Sequence, residues 1–331
     1  MPTLITGATG HLGAHLVRAL LARGERVRVL VRPGSVLRSL DGLAVEYARG
    51  DLGDPASLAA ALAGCDRAYH LAALISIQSR DRQHLWEVNV LGTRALLAAA
   101  ARVGVERVVH CSSLGAVGRN PAGSSGERWI VNPFDGCMPY DLTKTLAEQE
   151  ALKAVLRGLH VVIVNPSGIL GAWDWKPSLL GATLLDVARG KLWAYIPGGV
   201  DLVPATAVAD GILRAMERGK AGERYILSGE LVTLDQLIAW VIELTGARHP
   251  RLRVPRRLVQ PYVRLKDRLE RHLLPRRSPR YNLQTLKILT RPKGGDATKA
   301  IRDLGYQPGS VRAALAEAIA WYREVGYLNG S

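Results

Sequence analysis

Thr6-Gly-Ala-Thr-Gly-His-Leu-Gly13 decides how this chain is read. It follows a short apolar run, Leu4-Ile5, and precedes an amphipathic run containing Leu16, Val17, Leu20 and Leu21. Strand, glycine turn and helix in that order are the context in which a glycine pattern points to a dinucleotide site. Gly7 permits the tight turn, Gly10 lets backbone N–H groups approach a pyrophosphate, and Gly13 lets the helix lie close to its strand. The phosphates then meet a helix N-terminus, whose unpaired N–H groups and dipole favour an anion. An ordinary glycine-rich βα turn has the same look, so the downstream chain must decide between the two.

A chain of 331 residues can bury a large core, and an apolar share of 48% fits a globular protein. The N-terminus enters the first strand without the basic and apolar regions of a secretory signal. No apolar run approaches the roughly 20 residues that span a bilayer. Cys65, Cys111 and Cys137 are odd in number and widely spaced, suggesting neither a disulfide framework nor a zinc site. The expectation is a cytoplasmic protein without a metal. The net charge of +15 is unevenly spread: Arg251 to Arg280 holds eleven Lys/Arg against Asp267 and Glu270. Those cations are not interleaved with stacking aromatics, which argues against a nucleic-acid partner.

Strand-like runs alternate with helical patterns through the first half, the signature of βαβ units and a parallel sheet. Val27 to Val31 reads as a second strand ending at Arg32, Pro33, Gly34 and Ser35. The residue at this strand end faces the adenosine ribose in dinucleotide folds, and an arginine there suits a 2′-phosphate. Arg32, with Ser35 and Arg38 as helpers, therefore favours NADP(H) and leaves NAD(H) open; a solvated strand-end charge is the bland alternative. A third strand, Ala44 to Tyr47, leads to Asp51-Leu52, where Asp51 could accept from the adenine amino group. Asp54-Pro55 just beyond reads as a helix start. His70-Leu71-Ala72-Ala73 ends a buried strand in small residues, with His70 read as a packed core histidine. A helical pattern from Leu85 to Val103 carries Asn89, expected to brace neighbouring backbone. Arg107 to Cys111 reads as a strand delivering Ser112 and Ser113, and a long Gly/Pro-rich loop from Gly118 to Met138 follows.

Tyr140-Asp-Leu-Thr-Lys144 opens the next helix, and i, i+4 spacing puts the phenol and the ammonium on one face. An ammonium beside a phenol lowers its pKa from the usual value near 10. Such a tyrosine can trade protons with a carbonyl or alcohol oxygen near neutrality. A serine hydroxyl close by would hydrogen-bond the same oxygen. Tyr and Lys four apart is a common pattern, but here it follows a glycine turn and a strand-end serine in the right order.

Taken together, these motifs resemble the extended short-chain dehydrogenase/reductases of the NAD-dependent epimerase/dehydratase superfamily over nearly the whole chain. The Thr6–Gly13 turn, the His70–Ala73 strand end, Asn89, the Ser112-Ser113 pair before Leu114-Gly115-Ala116, Tyr140 with Lys144, and Asn165-Pro166 with Gly168 and Gly171 carry the resemblance. Val29 to Ser35 and Val162 to Ser167 are most similar to dihydroflavonol-4-reductase-like proteins, close to the hopanoid-associated sugar epimerases. The resemblance implies a Rossmann-type doubly wound α/β fold with a smaller substrate lobe. It also implies that Tyr140 is the acid/base, that Ser113 holds the substrate oxygen, and that Lys144 binds the nicotinamide ribose. The implied cofactor set is Thr6, Gly7, Thr9, Gly10, His11, Leu12, Gly13, Arg32, Ser35, Asp51, Leu52, Leu71, Ala72, Ala73, Asn89, Ser112, Tyr140, Lys144, Asn165, Pro166, Ser167 and Gly168.

The second half departs from the nucleotide-sugar enzymes. Val200 to Ala209 lacks their arginine and acidic pair, and a diphosphate wants bidentate cations. Ser113, Leu114, Trp173, Trp175 and Lys176 are instead candidates for holding a fairly apolar substrate; packing of the small lobe is the plain alternative for the tryptophans. The chain divides into a dinucleotide core at 1–165, to which strand 223–229 returns, and a lobe at 166–222 and 230–331. Within the basic segment 251–280, Leu258, Tyr262, Leu265, Leu269 and Leu273 form one stripe among Arg257, Arg264, Arg268 and Arg271. It reads as a cap helix with a solvated basic face, or as a monotopic helix resting on anionic lipid at the inner membrane face. The sequence leaves the oligomeric state open; the resemblance implies that the helices at 85–103 and 140–157 could form a homodimer face. The expected activity is NADP-dependent hydride transfer with the ketone, aldehyde or secondary alcohol of an apolar small molecule. An NAD-retaining sugar epimerase or dehydratase, and a non-catalytic dinucleotide scaffold, are the alternatives.

Overall fold

Short Val/Ile/Leu-rich runs buried on both faces are what a parallel sheet demands, and seven of them build one. They are β1 (Thr3–Thr6), β2 (Val27–Val31), β3 (Glu46–Arg49), β4 (Arg67–His70), β5 (Arg107–Cys111), β6 (His160–Pro166) and β10 (Arg224–Leu227). In the computed structural model, which describes residues 1–76, 78–132, 137–255, 257, 259, 261 and 292–328, their order is β10-β6-β5-β4-β1-β2-β3, every pairing parallel. Strand order reverses between β1 and β4, the switch point beyond whose carboxyl ends open α/β sheets bind ligands. β3 starts two residues later than the sequence pattern suggests.

Helices cover both faces. On one lie α1 (His11–Ala22), α7 (Ala205–Arg218) and α9 (Thr298–Leu304), contributing Leu16, Val17, Leu20, Val208, Ile212 and Leu304 to a core with Ile5 and Val29. On the other lie α2 (Pro55–Leu62), α4 (Gly92–Val103) and α5 (Pro139–Leu156), packing Leu58, Leu62, Leu96, Ala100 and Ala151 on Leu4 and Val108. Asp54 caps α2 through the Ala56 N–H, with Pro55 at the first helical position. The helical pattern at 85–103 is not one α-helix. α3 (Arg82–Trp86) passes through a π turn at Glu87–Leu91 before α4 begins. A π turn adds a residue and swings the side chains round, and it is here that Asn89 is buried.

The smaller lobe rests on a mixed sheet of β7 (Gly168–Leu170), β9 (Gly199–Pro204) and β11 (Glu230–Thr233). α6 (Leu179–Ala188), α8 (Leu234–Thr245) and α10 (Val311–Glu324) bury Leu184, Leu237, Val241 and Leu315 against it. A two-residue ladder, β8 (Ala194–Tyr195) with β12 (Leu252–Arg253), lies beside them. α7 and α9 fall inside the span assigned to the lobe, yet their apolar stripes pack into the main core. The amphipathic stripe from Leu258 to Leu273, with Arg264, Arg268 and Arg271, lies outside the described residues. No described helix is long and apolar enough to cross a membrane.

The close seat of α1 on its strand generates a test. A methyl at Gly13 would lie 2.2 Å from the Gly7 carbonyl oxygen and 2.6 Å from Ala8 Cα. Backbone cannot yield as a side-chain tip can, so Gly13→Ala should lower unfolding free energy by about 2 kcal/mol or more. Denaturant titration checks this, and an unchanged midpoint would contradict the packing described.

Candidate active site

The glycine turn forms a cradle of bare backbone. Gly7 has φ +76°, and a Cβ there would strike Ala72 N at 2.6 Å. At Gly10 a Cβ would meet only the Gly7 carbonyl, at 3.3 Å, so the outer side of the turn is open to a ligand. α1 starts with no side-chain cap and no acidic residue in its first turn. Its dipole end is therefore uncompensated where a pyrophosphate would sit, and these residues fit the group. Thr6 is braced to protein instead: its Oγ1 pairs with His70 Nδ1 at 2.8 Å and accepts from the Ala72 N–H at 3.2 Å. His70 pairs again with Thr93 Oγ1 at 2.9 Å, and burial holds the imidazole neutral, its pKa pushed down to about 3. It is the packed core histidine that the sequence suggests.

Asn89 spends its amide on the loop beyond β4. Its Oδ1 accepts from Leu74 N–H at 2.8 Å, and its Nδ2 donates to the Leu74 carbonyl at 3.0 Å and to Thr143 Oγ1 at 3.1 Å. It shapes the wall of the cradle by tying Leu74 to α5. Asp51 turns its carboxylate onto the Gly53 N–H at 2.8 Å and stays exposed. Arg32 is exposed at the carboxyl end of β2, and Ser35 N–H closes a turn on its carbonyl at 3.1 Å. Arg38 lies 4.2 Å above the Trp175 ring, so its guanidinium is engaged by a lobe residue.

At the carboxyl end of β5, Ser113, Tyr140 and Lys144 come together. The Ser113 hydroxyl bonds the Tyr140 phenol and accepts from the Gly115 N–H at 3.0 Å. Burial pushes the Tyr140 phenol above its ordinary value, with Cys111 and Asp141 adding to the rise and the Ser113 bond opposing it. The sequence expectation was the reverse, a phenol lowered by Lys144. The difference has a physical cause: Lys144, 1% exposed, donates its ammonium to the Cys111 carbonyl at 2.7 Å and is itself lowered by burial.

Of the residues proposed for the substrate, Leu114 follows Ser113 directly, and each tryptophan is engaged by another aromatic ring and an arginine. Trp173, at φ +60°, packs 4.4 Å from the His15 ring and under Arg18 at 4.2 Å. Trp175 meets Trp321 edge-on at 4.9 Å, and Lys176 is exposed. These contacts join the pair to helix α1 and to Trp321 of the lobe. A pair that the sequence reading missed does reach the site. A methyl at Gly115 would lie 2.1 Å from Asp141 Oδ1 and 3.3 Å from Ser113 Oγ, so bare glycine makes room for both. Burial pushes Asp141 up to about 6 and Lys293 down to about 8, each partly restored by the other. Lys293 arrives from beyond β12 and donates to the Val117 carbonyl at 2.7 Å. Among the described residues, no cluster of three or more His, Cys, Asp or Glu could hold a metal.

Residues 3–228 match the profile of the NAD dependent epimerase/dehydratase family, and the chain belongs to that family. Over 99% of its length it is 52% identical to sterol demethylase protein B of Methylococcus capsulatus, all of which is covered. It is 37% identical, over 98% of the chain and 95% of the relative, to a Synechocystis protein named as a dihydroflavonol 4-reductase. A Stigmatella aurantiaca ketoreductase of a farnesyl dihydroquinoline oxide is 35% identical over 92% of each chain. Among solved structures, gox2253 superposes with a TM-score of 0.88 at 38% identity, covering 98% of both chains. Relatives are named as reductases and dehydrogenases, and this chain is an NAD(P)-binding oxidoreductase of the extended short-chain type.

Asn89→Ala would strip both polar groups of Leu74 of their side-chain partner. A loss of about 1 kcal/mol follows for the part-buried hydrogen bonds removed, together with weaker dinucleotide binding as the wall loosens. Denaturant unfolding and cofactor titration read the two effects. Wild-type values in both would show that the brace is dispensable.

Proposed function

We propose that this protein moves hydride between NADP(H) and a ketone or secondary alcohol on a large apolar molecule of sterol or polyprenyl type. The observation that carries the reading is the convergence of Ser113, Tyr140 and Lys144 beside the open glycine cradle. Ser113 orients the substrate oxygen, and Tyr140 exchanges the proton with it. Lys144 stands one turn away to hold the nicotinamide ribose when the dinucleotide binds, its charge then favouring phenolate. A bound dinucleotide would supply or take the hydride at its nicotinamide ring. The residues of this chain contribute orientation, the proton and a partly water-excluded site. The sterol and farnesyl chemistry in the names of two relatives supports an apolar substrate, as does the absence of an arginine between Val200 and Ala209, since a sugar diphosphate wants bidentate cations.

The NADP(H) preference rests on Arg32 at the β2 end, where no carboxylate stands to accept from a free ribose hydroxyl. An epimerase that holds NAD tightly is the second reading, favoured by the family to which the chain belongs.

Tyr140→Phe removes the proton donor and little else. Turnover should fall by at least about a hundredfold while NADPH affinity stays near wild type. Wild-type turnover in that variant would end the assignment. Arg32→Ala should raise the KM for NADPH about tenfold, the loss of one charge-assisted contact of roughly 1.4 kcal/mol, and leave the KM for NADH in place. Equal effects on both cofactors would remove the basis for NADP(H).

A further inference from the structure

One turn beyond Lys144, the same face of α5 carries Glu148, whose side chain is only 3% exposed. A buried carboxylate persists when neighbours satisfy its oxygens, and here two strands do so. Asn165 Nδ2 donates to Glu148 Oε1 at 2.6 Å, and Arg224 donates to Oε2 at 3.3 Å. Asn165 is fully buried on β6, and its Nδ2 also donates to the Ser113 carbonyl at 3.0 Å. Arg224, on β10, is fixed in turn by the Glu127 carbonyl, while the Glu127 carboxylate accepts from Ile226 N–H at 3.0 Å. One carboxylate thus joins α5, the Ser113 loop, β6 and β10.

We infer that Glu148 is a positioning residue for the hydride-transfer site, holding the Ser113 loop in register with α5 and supplying the counter-charge to Lys144. The inference rests on the proposed roles of Ser113, Tyr140 and Lys144. Lys144 of α5 ties the end of β5 through the Cys111 carbonyl, and the relay from Glu148 through Asn165 adds a second tie two residues further on, at the Ser113 carbonyl. The groups facing Lys144 are its partner carbonyl and thiol at Cys111, His110 on β5, His70 on β4, and Tyr140 and Glu148 on its own helix. Burial keeps both histidines neutral, and Glu148 and the Cys111 thiol act to raise the lysine. Arg224 faces Glu148 from the other side, opposing the rise that burial imposes on the carboxyl.

The test uses full-length protein and three substitutions, read against Tyr140→Phe. Glu148→Gln keeps the shape and can still accept from Asn165, but it removes the charge. With Lys144 losing a neighbour that raises it, the alkaline limb of the kcat profile should move about one unit to lower pH. NADPH affinity should change little, while the melting temperature falls because Arg224 loses its ion pair. Glu148→Ala also frees the Ser113 loop, and kcat should fall further, by up to about a hundredfold. Glu148→Asp, which restores the charge, should return the alkaline limb toward its wild-type position. A wild-type profile in Glu148→Gln with wild-type kcat in Glu148→Ala would overturn the inference. So would variants that lose only melting temperature, because an ordinary buried ion pair behaves that way. If Tyr140→Phe retains full turnover, the proposed function itself fails, whatever Glu148 does.

Discussion

The structure depends on how closely the first helix can approach the first strand. With hydrogen at positions 7 and 13, α1 sits against the turn and the β4 loop at distances a methyl group would forbid. That seat fixes the direction of the helix axis, and so where its uncompensated positive end points. Around it the sheet reverses strand order, so the ends of β1 and β4 open onto one crevice. Thr6, His70 and Thr93 then lock those two strand ends together from inside. Asn89, swung inward by the π turn, ties the next loop to α5.

α5 presents the residues proposed for the chemistry at the carboxyl end of β5, at an electrostatic cost set by burial. Tyr140, Lys144 and Glu148 are all shifted toward their neutral forms by desolvation. Each is held by a partner on a different element: Ser113 for the tyrosine, the Cys111 carbonyl for the lysine, and Asn165 and Arg224 for the glutamate. A site built in this way is stiff, because no one partner can move without leaving a buried polar group unsatisfied. It also explains why the phenol sits high in the protein by itself. Lys144 here donates to the Cys111 carbonyl and is itself lowered by burial, and the anionic state of Tyr140 is one that a bound dinucleotide would have to bring about.

Features written into adjacent residues were legible in the sequence. The strand, turn and helix around Thr6–Gly13, the strand at 27–31 and the one at 107–111 are where pattern alone puts them. So is the return of 224–227 to the sheet. Each of these is decided by local sterics and a run of apolar side chains. What escaped depends on partners far away in the chain. Nothing near Trp175 in sequence foretells its contacts with Arg38 and Trp321. Lys293 enters the site from 176 residues beyond Val117. The Leu85–Val103 stretch has helical spacing throughout, and only the burial of Asn89 shows where it widens to a π turn. Glu148 was within reach, since 140, 144 and 148 continue one i, i+4 row. A third polar residue on that row was the available signal.

Hydride transfer to an exchangeable carbonyl substrate is what separates a reductase from a cofactor-retaining epimerase. The direct measurement incubates the protein with NADPH bearing deuterium at nicotinamide C4 and a sterol 3-ketone, with mass analysis of the extracted product. One deuterium at the carbinol carbon, and its absence with Tyr140→Phe, is the predicted result. An unlabelled sterol alongside stoichiometric NAD that stays with the protein would contradict the account and identify a cofactor-retaining epimerase.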